Sequence, residues 1–231
     1  MESIKIINIV SMVLSLGVAI IGHEIMHGLV AYKYGDNTAK LAGRLSINPI
    51  KHIDLVGTII VPALLYFSHA GFIFGWAKPV PVNMDIVLRN GKENGAIAVS
   101  LAGVTYNFIL AIISALFVAL IGEPKTIFET FFFFFFVNSV LINVVLGVFN
   151  LWPIPPLDGA NALMYLAQKL KLYKIVEFYH KIFPYGMIIL IIIIATPLSS
   201  IFFIPVYYLL LLISMFTGID FINLINIIER I

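Results

Sequence analysis

Residues 4–31 read IKIINIVSMVLSLGVAIIGHEIMHGLVA, an apolar run long enough to cross a bilayer, since a spanning helix needs about 20 largely apolar residues. Five further stretches share its character: Leu55 to Trp76, Ala96 to Ile121, Ile127 to Trp152, Pro184 to Ile204 and Pro205 to Ile222. Composition agrees, with 61% of the 231 residues hydrophobic, 11% charged and a mean hydropathy of +1.05, where an ordinary soluble domain is about half apolar. No small-x-small cleavage site closes the first run, so it reads as an uncleaved helix rather than a signal peptide. The expected fold is an all-α membrane protein. It is a bundle of five to six transmembrane helices with a re-entrant or hairpin segment and short extended interfacial strands. One integral-membrane domain over residues 1–231 is expected, with a core at about 1–165 and accessory helices at about 182–222.

The 14 Lys and Arg against 12 Asp and Glu leave a net charge of +2, so no broad basic field speaks for a nucleic-acid partner; the bilayer is the expected surrounding. The absence of cysteine excludes disulfides, thiolate metal sites and cysteine nucleophiles, so any metal must be held by His, Asp or Glu. Two regions between the spans are richer in charge and punctuation. Lys33 to Asn94 carries Asn48-Pro49 and the run Gly75-Trp76-Ala77-Lys78-Pro79-Val80-Pro81-Val82-Asn83, whose prolines favour extended backbone. Gly159 to Lys181 reads as a short amphipathic helix. The low-complexity run Phe131 to Phe136 reads as a lipid-facing aromatic surface. No internal repeat hints at a transporter.

The first run ends in His23-Glu24-Ile25-Met26-His27, an H-E-x-x-H motif. Residues four apart share a helix face, so His23 and His27 can present two imidazoles to one zinc, with Glu24 beside them to take a proton from water the metal activates. Ionisable groups this dense inside a span are costly unless they serve a function. A catalytic zinc needs a third protein ligand. Val30 and Lys33 stand where a metzincin would place Gly and His, and Glu93, Glu123, Glu129 and Glu177 lie at segment ends or in loops. Asp158 follows an apolar span directly and is followed by Gly159. It is open to a site role, to capping the next helix, or to both.

Together, H-E-x-x-H, the run Ala102-Gly103-Val104-Thr105-Tyr106-Asn107 and the run Asn150-Leu151-Trp152-Pro153-Ile154-Pro155-Pro156-Leu157-Asp158-Gly159 resemble the site-2 protease family of intramembrane zinc metalloproteases. Asn48-Pro49 with His52 and Asp54 is similar to the compact branch of that family without PDZ or CBS modules. The resemblance implies that His23, His27 and Asp158 bind Zn2+, that Glu24 is the general base, and that Asn150 orients substrate or stabilises the oxyanion. It implies hydrolysis of peptide bonds within or next to transmembrane segments of protein substrates, in a bacterial or archaeal cell membrane. Val104 departs from the family, which usually has proline after this glycine.

The site must lie at one depth, which constrains topology. His23 is 19 residues past Ile4, about 28 Å along a helix, so it falls near the far end of the first span. Asp158 falls past the end of the fourth apolar stretch. Both spans must run in the same direction, so one of the two stretches between them is not a simple crossing. Leu55 to Trp76, with Gly57, Pro62, Gly71 and Gly75, is assigned that role. With the N-terminus outside, only Lys5 and Lys125 then lie outside and the other twelve Lys and Arg inside; six plain crossings would divide them nine to five. The better positive-inside bias puts the site toward the cytoplasmic side.

Other polar groups have local readings. Lys78 to Asn83 is either an edge that could pair with an unwound substrate strand or a turn-rich loop. Asn107, Asn138, Asn143 and Asn150 would form hydrogen bonds between spans, Asn107 being also a possible accessory group through its motif. His52 is a possible accessory group, His69 belongs to a turn and His180 to the solvated surface. Competing functional readings are an inactive relative that binds transmembrane segments, and a zinc carrier. The carrier lacks a path, because the late spans offer only Asp220 and no histidine.

Overall fold

A computed structural model describes residues 2–69 and 74–229 of the chain. They form helices α1 (Glu2–Lys33), α2 (Thr38–Leu41), α3 (Val61–Phe67), α4 (Met84–Ile121), α5 (Ile127–Leu151), α6 (Asp158–Lys169), α7 (Tyr173–Ile182), α8 (Gly186–Ala195), α9 (Leu198–Phe202), α10 (Ile204–Thr217) and α11 (Phe221–Glu229). Five helical stretches are long and apolar enough to cross a membrane: α1, α4, α5, α7 with α8, and α9 with α10. Their outward side chains are apolar too: Ile6, Val13, Leu120 and Met215 are 58%, 59%, 80% and 82% exposed. Water would not tolerate so much contiguous apolar surface, so this is an integral membrane protein. No strand forms among the described residues, which corrects the expected interfacial strands. Residues 74–83 are irregular because Pro79 and Pro81 supply no donor and the amides of Lys78, Val80 and Asn83 bond to other elements.

The chain divides into two compact units, one of Met1–Ala19, Val104–Asn150 and Phe202–Ile231, the other of Ile20–Gly103 and Leu151–Ile201. In the first, spans meet through polar side chains that have no water to turn to. Asn107 donates to Asn143 Oδ1 at 2.8 Å, Ser114 to Ser139 Oγ at 2.8 Å, and Asn138 to Asn8 Oδ1 at 3.0 Å. Six consecutive phenylalanines go right round a helix at 3.6 residues per turn. Phe131 to Phe136 is therefore not wholly lipid-facing: Phe134 is buried and Phe136 stacks on Phe117 of α4.

In the second unit the chain turns back after α3. Leu55–Ile60 is one π-helical stretch running into the seven residues of α3. Together they are about 20 Å long, short of the roughly 30 Å hydrocarbon core. The chain then returns, since Trp76 N–H donates to the Gly57 carbonyl at 3.1 Å and Lys78 N–H to the His52 carbonyl at 2.9 Å. Only hydrogen stands between Gly57 and the Trp76 ring, where a Cβ would lie 2.4 Å from the indole. Residues 70–73 of this stretch lie outside the described residues. His69 sits in the turn after α3 with φ 54°.

Two expected boundaries move. The single amphipathic helix over Gly159 to Lys181 is two helices, broken where Lys171 takes φ 58°. The late spans part at Thr196-Pro197 rather than at Pro205, because Thr196, which precedes a proline, is extended (ψ 167°) and ends α8. Pro205 falls in the first turn of α10, where a missing N–H costs nothing.

Candidate metal centre

His23 and His27 lie one turn apart on α1, with Nε2 atoms 3.1 Å from each other. His27 Nδ1 is 2.7 Å from the Val99 carbonyl of α4. A carbonyl only accepts, so Nδ1 carries a proton, and in a neutral ring the lone pair is then on Nε2, on the side facing His23. The His23 ring lies against Gly103, whose absent Cβ would stand 2.5 Å from Cε1. That glycine belongs to the Ala-Gly motif of the sequence.

Asp158 completes the cluster, Oδ2 lying 3.1 Å from His23 Nε2 and 3.3 Å from His27 Nε2. It stands at the first residue of α6, where Leu157 is the capping position and no side chain caps the helix; the capping reading is therefore corrected, and its carboxylate faces the histidines. A folded proline loop puts it there. The Tyr179 hydroxyl donates to the Pro153 carbonyl at 3.0 Å, and Gly186 and Gly159 admit the backbones of Pro155 and Leu151, where a Cβ would meet carbonyl oxygens at 2.2 and 2.0 Å.

This donor set fits a metal ion. Ligands bound tetrahedrally to zinc at about 2.0–2.1 Å stand about 3.4 Å apart, and the three separations here are 3.1, 3.1 and 3.3 Å. Asp158 Oδ2 is buried and accepts no hydrogen bond. Two imidazole nitrogens and a carboxylate oxygen converging on one point are the kind of donors, at the kind of spacing, that a zinc ion takes. Among the described residues this is the one group of three or more His, Asp or Glu side chains placed to hold such an ion.

Glu24, between the two histidines in sequence, accepts the Val80 N–H at Oε2, 2.8 Å away. The segment that supplies this amide has few donors left for a substrate strand. The amides of Lys78 and Asn83 go to the His52 carbonyl and Asp36 Oδ2, and Pro79 and Pro81 have none, so Val82 alone keeps its N–H. Asp36 is buried. Burial opposes its ionisation, but the Thr38 hydroxyl and the amides of Asn83 and Thr38 outweigh it and hold the carboxyl below the ordinary carboxylate range.

His52 is 3% exposed and lies against the Ser46 carbonyl through Nε2 at 2.7 Å, so it braces a loop and is not in the cluster of His23, His27 and Asp158. Asn107 and Asn150 belong to the other unit. Asn107 bonds between spans, and Asn150 donates from Nδ2 to the Leu146 carbonyl of its own helix at 3.0 Å. Sequence reasoning passed over the Val99 carbonyl, the Val80 amide, Asp36 and Arg44. Backbone groups leave no mark in a sequence, though Asp36 after Gly35 at the end of a span was a visible signal.

A family model for peptidase family M50 matches residues 121–194, the stretch that contains Asn150 and Asp158. Among curated proteins the chain is similar to "Putative zinc metalloprotease YwhC" of Bacillus subtilis, 38% identical over 193 residues and 82% of each chain. It is also similar to "Putative zinc metalloprotease Rip2" of Mycolicibacterium smegmatis, 28% identical over 145 residues, covering 61% of this chain and 51% of that one. No solved structure gives a significant match. A relative this similar along most of both chains shows that the chain belongs to peptidase family M50, the site-2 protease family.

Proposed function

We propose that this protein is a zinc-dependent endopeptidase that cleaves peptide bonds within or next to transmembrane segments of other membrane proteins. The observation that carries the reading is the convergence, at 3.1–3.3 Å, of Asp158 from α6 with His23 and His27 from α1, a helix apolar enough to span a bilayer. Bound there, zinc would supply Lewis acidity toward the scissile carbonyl and toward a water molecule.

The chain's own residues do the rest. The Val99 carbonyl keeps His27 in the tautomer that offers Nε2. Glu24, with Oε2 already accepting from Val80, uses Oε1 to take the proton of the attacking water and returns it to the leaving amine. Asn150, by its motif position, orients the substrate backbone. A peptide bond inside a helix is shielded by its own hydrogen bonds, so the substrate unwinds locally before attack. The setting is a cell membrane with the site toward the cytoplasm, which the excess of Lys and Arg on that side supports.

Glu24→Gln tests this reading. It should abolish cleavage, a loss of about 10²-fold or more, while zinc remains bound. Comparing membranes that express the wild type and this variant would reveal substrates as single-span proteins whose fragments appear only with the wild type. Undiminished proteolysis in the variant would defeat the mechanism.

A further inference from the structure

A base that drifts about 1 Å from its productive position forfeits on the order of 10²-fold in rate, and a glutamate side chain has three bonds about which to drift. Glu24 is restrained by backbone. Val80 N–H reaches Oε2 at 2.8 Å, and with Pro79 and Pro81 on either side it is the one donor available at that point of the chain. The approach depends on Gly28, one turn after Glu24 on the same face of α1. A Cβ at Gly28 would lie 2.9 Å from Val80 Cγ1 and 2.7 Å from Leu45 Cδ2, so the missing side chain is the notch that seats Val80.

The segment is tied on both sides of that contact. Before it, Lys78 N–H donates to the His52 carbonyl at 2.9 Å and Arg44 Nη2 donates to the Lys78 carbonyl at 2.7 Å. After it, Asn83 N–H donates to Asp36 Oδ2 at 2.7 Å. Arg44, His52 and Asp36 are 8%, 3% and 0% exposed, so water competes weakly for these ties. A loop needed only to cover the site would not require a buried arginine and a buried aspartate spent on its main chain.

We propose that residues 77–83 are a positioning strap for Glu24. Val80 N–H is its contact with the carboxylate, Gly28 its seat, and Arg44, His52 and Asp36 its anchors. The inference rests on Glu24 acting as the proton acceptor. The strap sets where Oε1 points and adds nothing to zinc binding, so loosening it lowers kcat and leaves metal content alone.

Two measurements test it. Hydrogen exchange of the purified protein in lipid nanodiscs, read on peptides covering 77–83, should show the Val80 amide protected in the wild type and in Glu24→Gln, which keeps an acceptor oxygen. In Glu24→Ala exchange there should be faster by about tenfold or more. Equal exchange in all three proteins overturns the contact. Replacing Val80 by its α-hydroxy acid removes the N–H alone. With a fluorescence-quenched synthetic transmembrane peptide carrying a central Asn-Gly break as probe, kcat should fall about 10- to 100-fold, with KM within about twofold and zinc retained. An unchanged kcat, or a loss of zinc, overturns the positioning role. Cleavage by Glu24→Gln at the wild-type rate would instead remove the base reading, and the exchange result would still stand on its own.

Discussion

A methyl group added at Gly103 would stand 2.5 Å from His23 Cε1 and 2.6 Å from both ring nitrogens, closer than any real side chain sits. The ring cannot yield without carrying Nε2 away from Asp158 and His27, so Gly103→Ala should weaken zinc binding about 10- to 100-fold in a protein that still folds. Equilibrium dialysis against a zinc buffer measures this, and wild-type affinity in the variant would show that the ring has room. Asp158 argues in the same way through stability. A ligand at 100 times its dissociation constant stabilises the folded state by about 2.7 kcal/mol, so zinc should raise the Tm of the wild type and leave that of Asp158→Ala nearly unmoved. At this scale the sequence was legible where side chains carry the chemistry, because two histidines and a glutamate at helical spacing have few other uses in a span. It was silent about the Val99 carbonyl and the Val80 amide, which any residue could have supplied and which tertiary structure alone brings near.

Among the elements, three helices end in the same way and only two of the endings announce themselves. After α1, Gly35 (φ 87°) lets its N–H reach the Tyr32 carbonyl and that of Asp36 the Ala31 carbonyl, at 2.9 and 3.1 Å. After α2, Gly43 (φ 64°) does the same with Lys40, and Arg44 with Ala39. This is the Schellman pattern, and here it also delivers Asp36 and Arg44 to the strap. After α6 the pattern recurs, with Lys171 N–H on the Gln168 carbonyl and Leu172 N–H on the Ala167 carbonyl at 3.0 and 2.8 Å, but a lysine holds the left-handed position at φ 58°. That is why the amphipathic periodicity from Gly159 to Lys181 reads as one helix: the residue that breaks it is not a glycine. A left-handed conformation costs an L-residue about 1–2 kcal/mol, so Lys171→Gly should raise stability by up to about 1 kcal/mol, visible as a higher Tm with unchanged zinc content. A lower Tm would mean that the lysine side chain contributes more than its backbone conformation costs.

At the scale of the whole molecule, the sequence yields the class and the number of long helices because both follow from hydrophobicity and length. The direction of each span follows from a chemical demand instead. His23 lies in the last third of α1 and Asp158 seven residues past the end of α5, so one ion can bind both only if α1 and α5 run the same way. The 13-residue apolar stretch Leu55–Phe67 is too short to cross, and the proposed topology, with α4 as the crossing between them, meets that demand. On the proposed topology the N-terminus and the α4 to α5 connection with Lys125 lie outside, and the turn after α3 with Ser68 does not reach the outer face. The chain has no cysteine, so Ser68→Cys and Lys125→Cys each give a single thiol on an unlabelled background. In intact cells a membrane-impermeant maleimide should modify position 125 and leave position 68 unmodified until the membrane is broken. Labelling of 68 with protection of 125 would invert the topology and move the proposed site to the opposite side of the membrane.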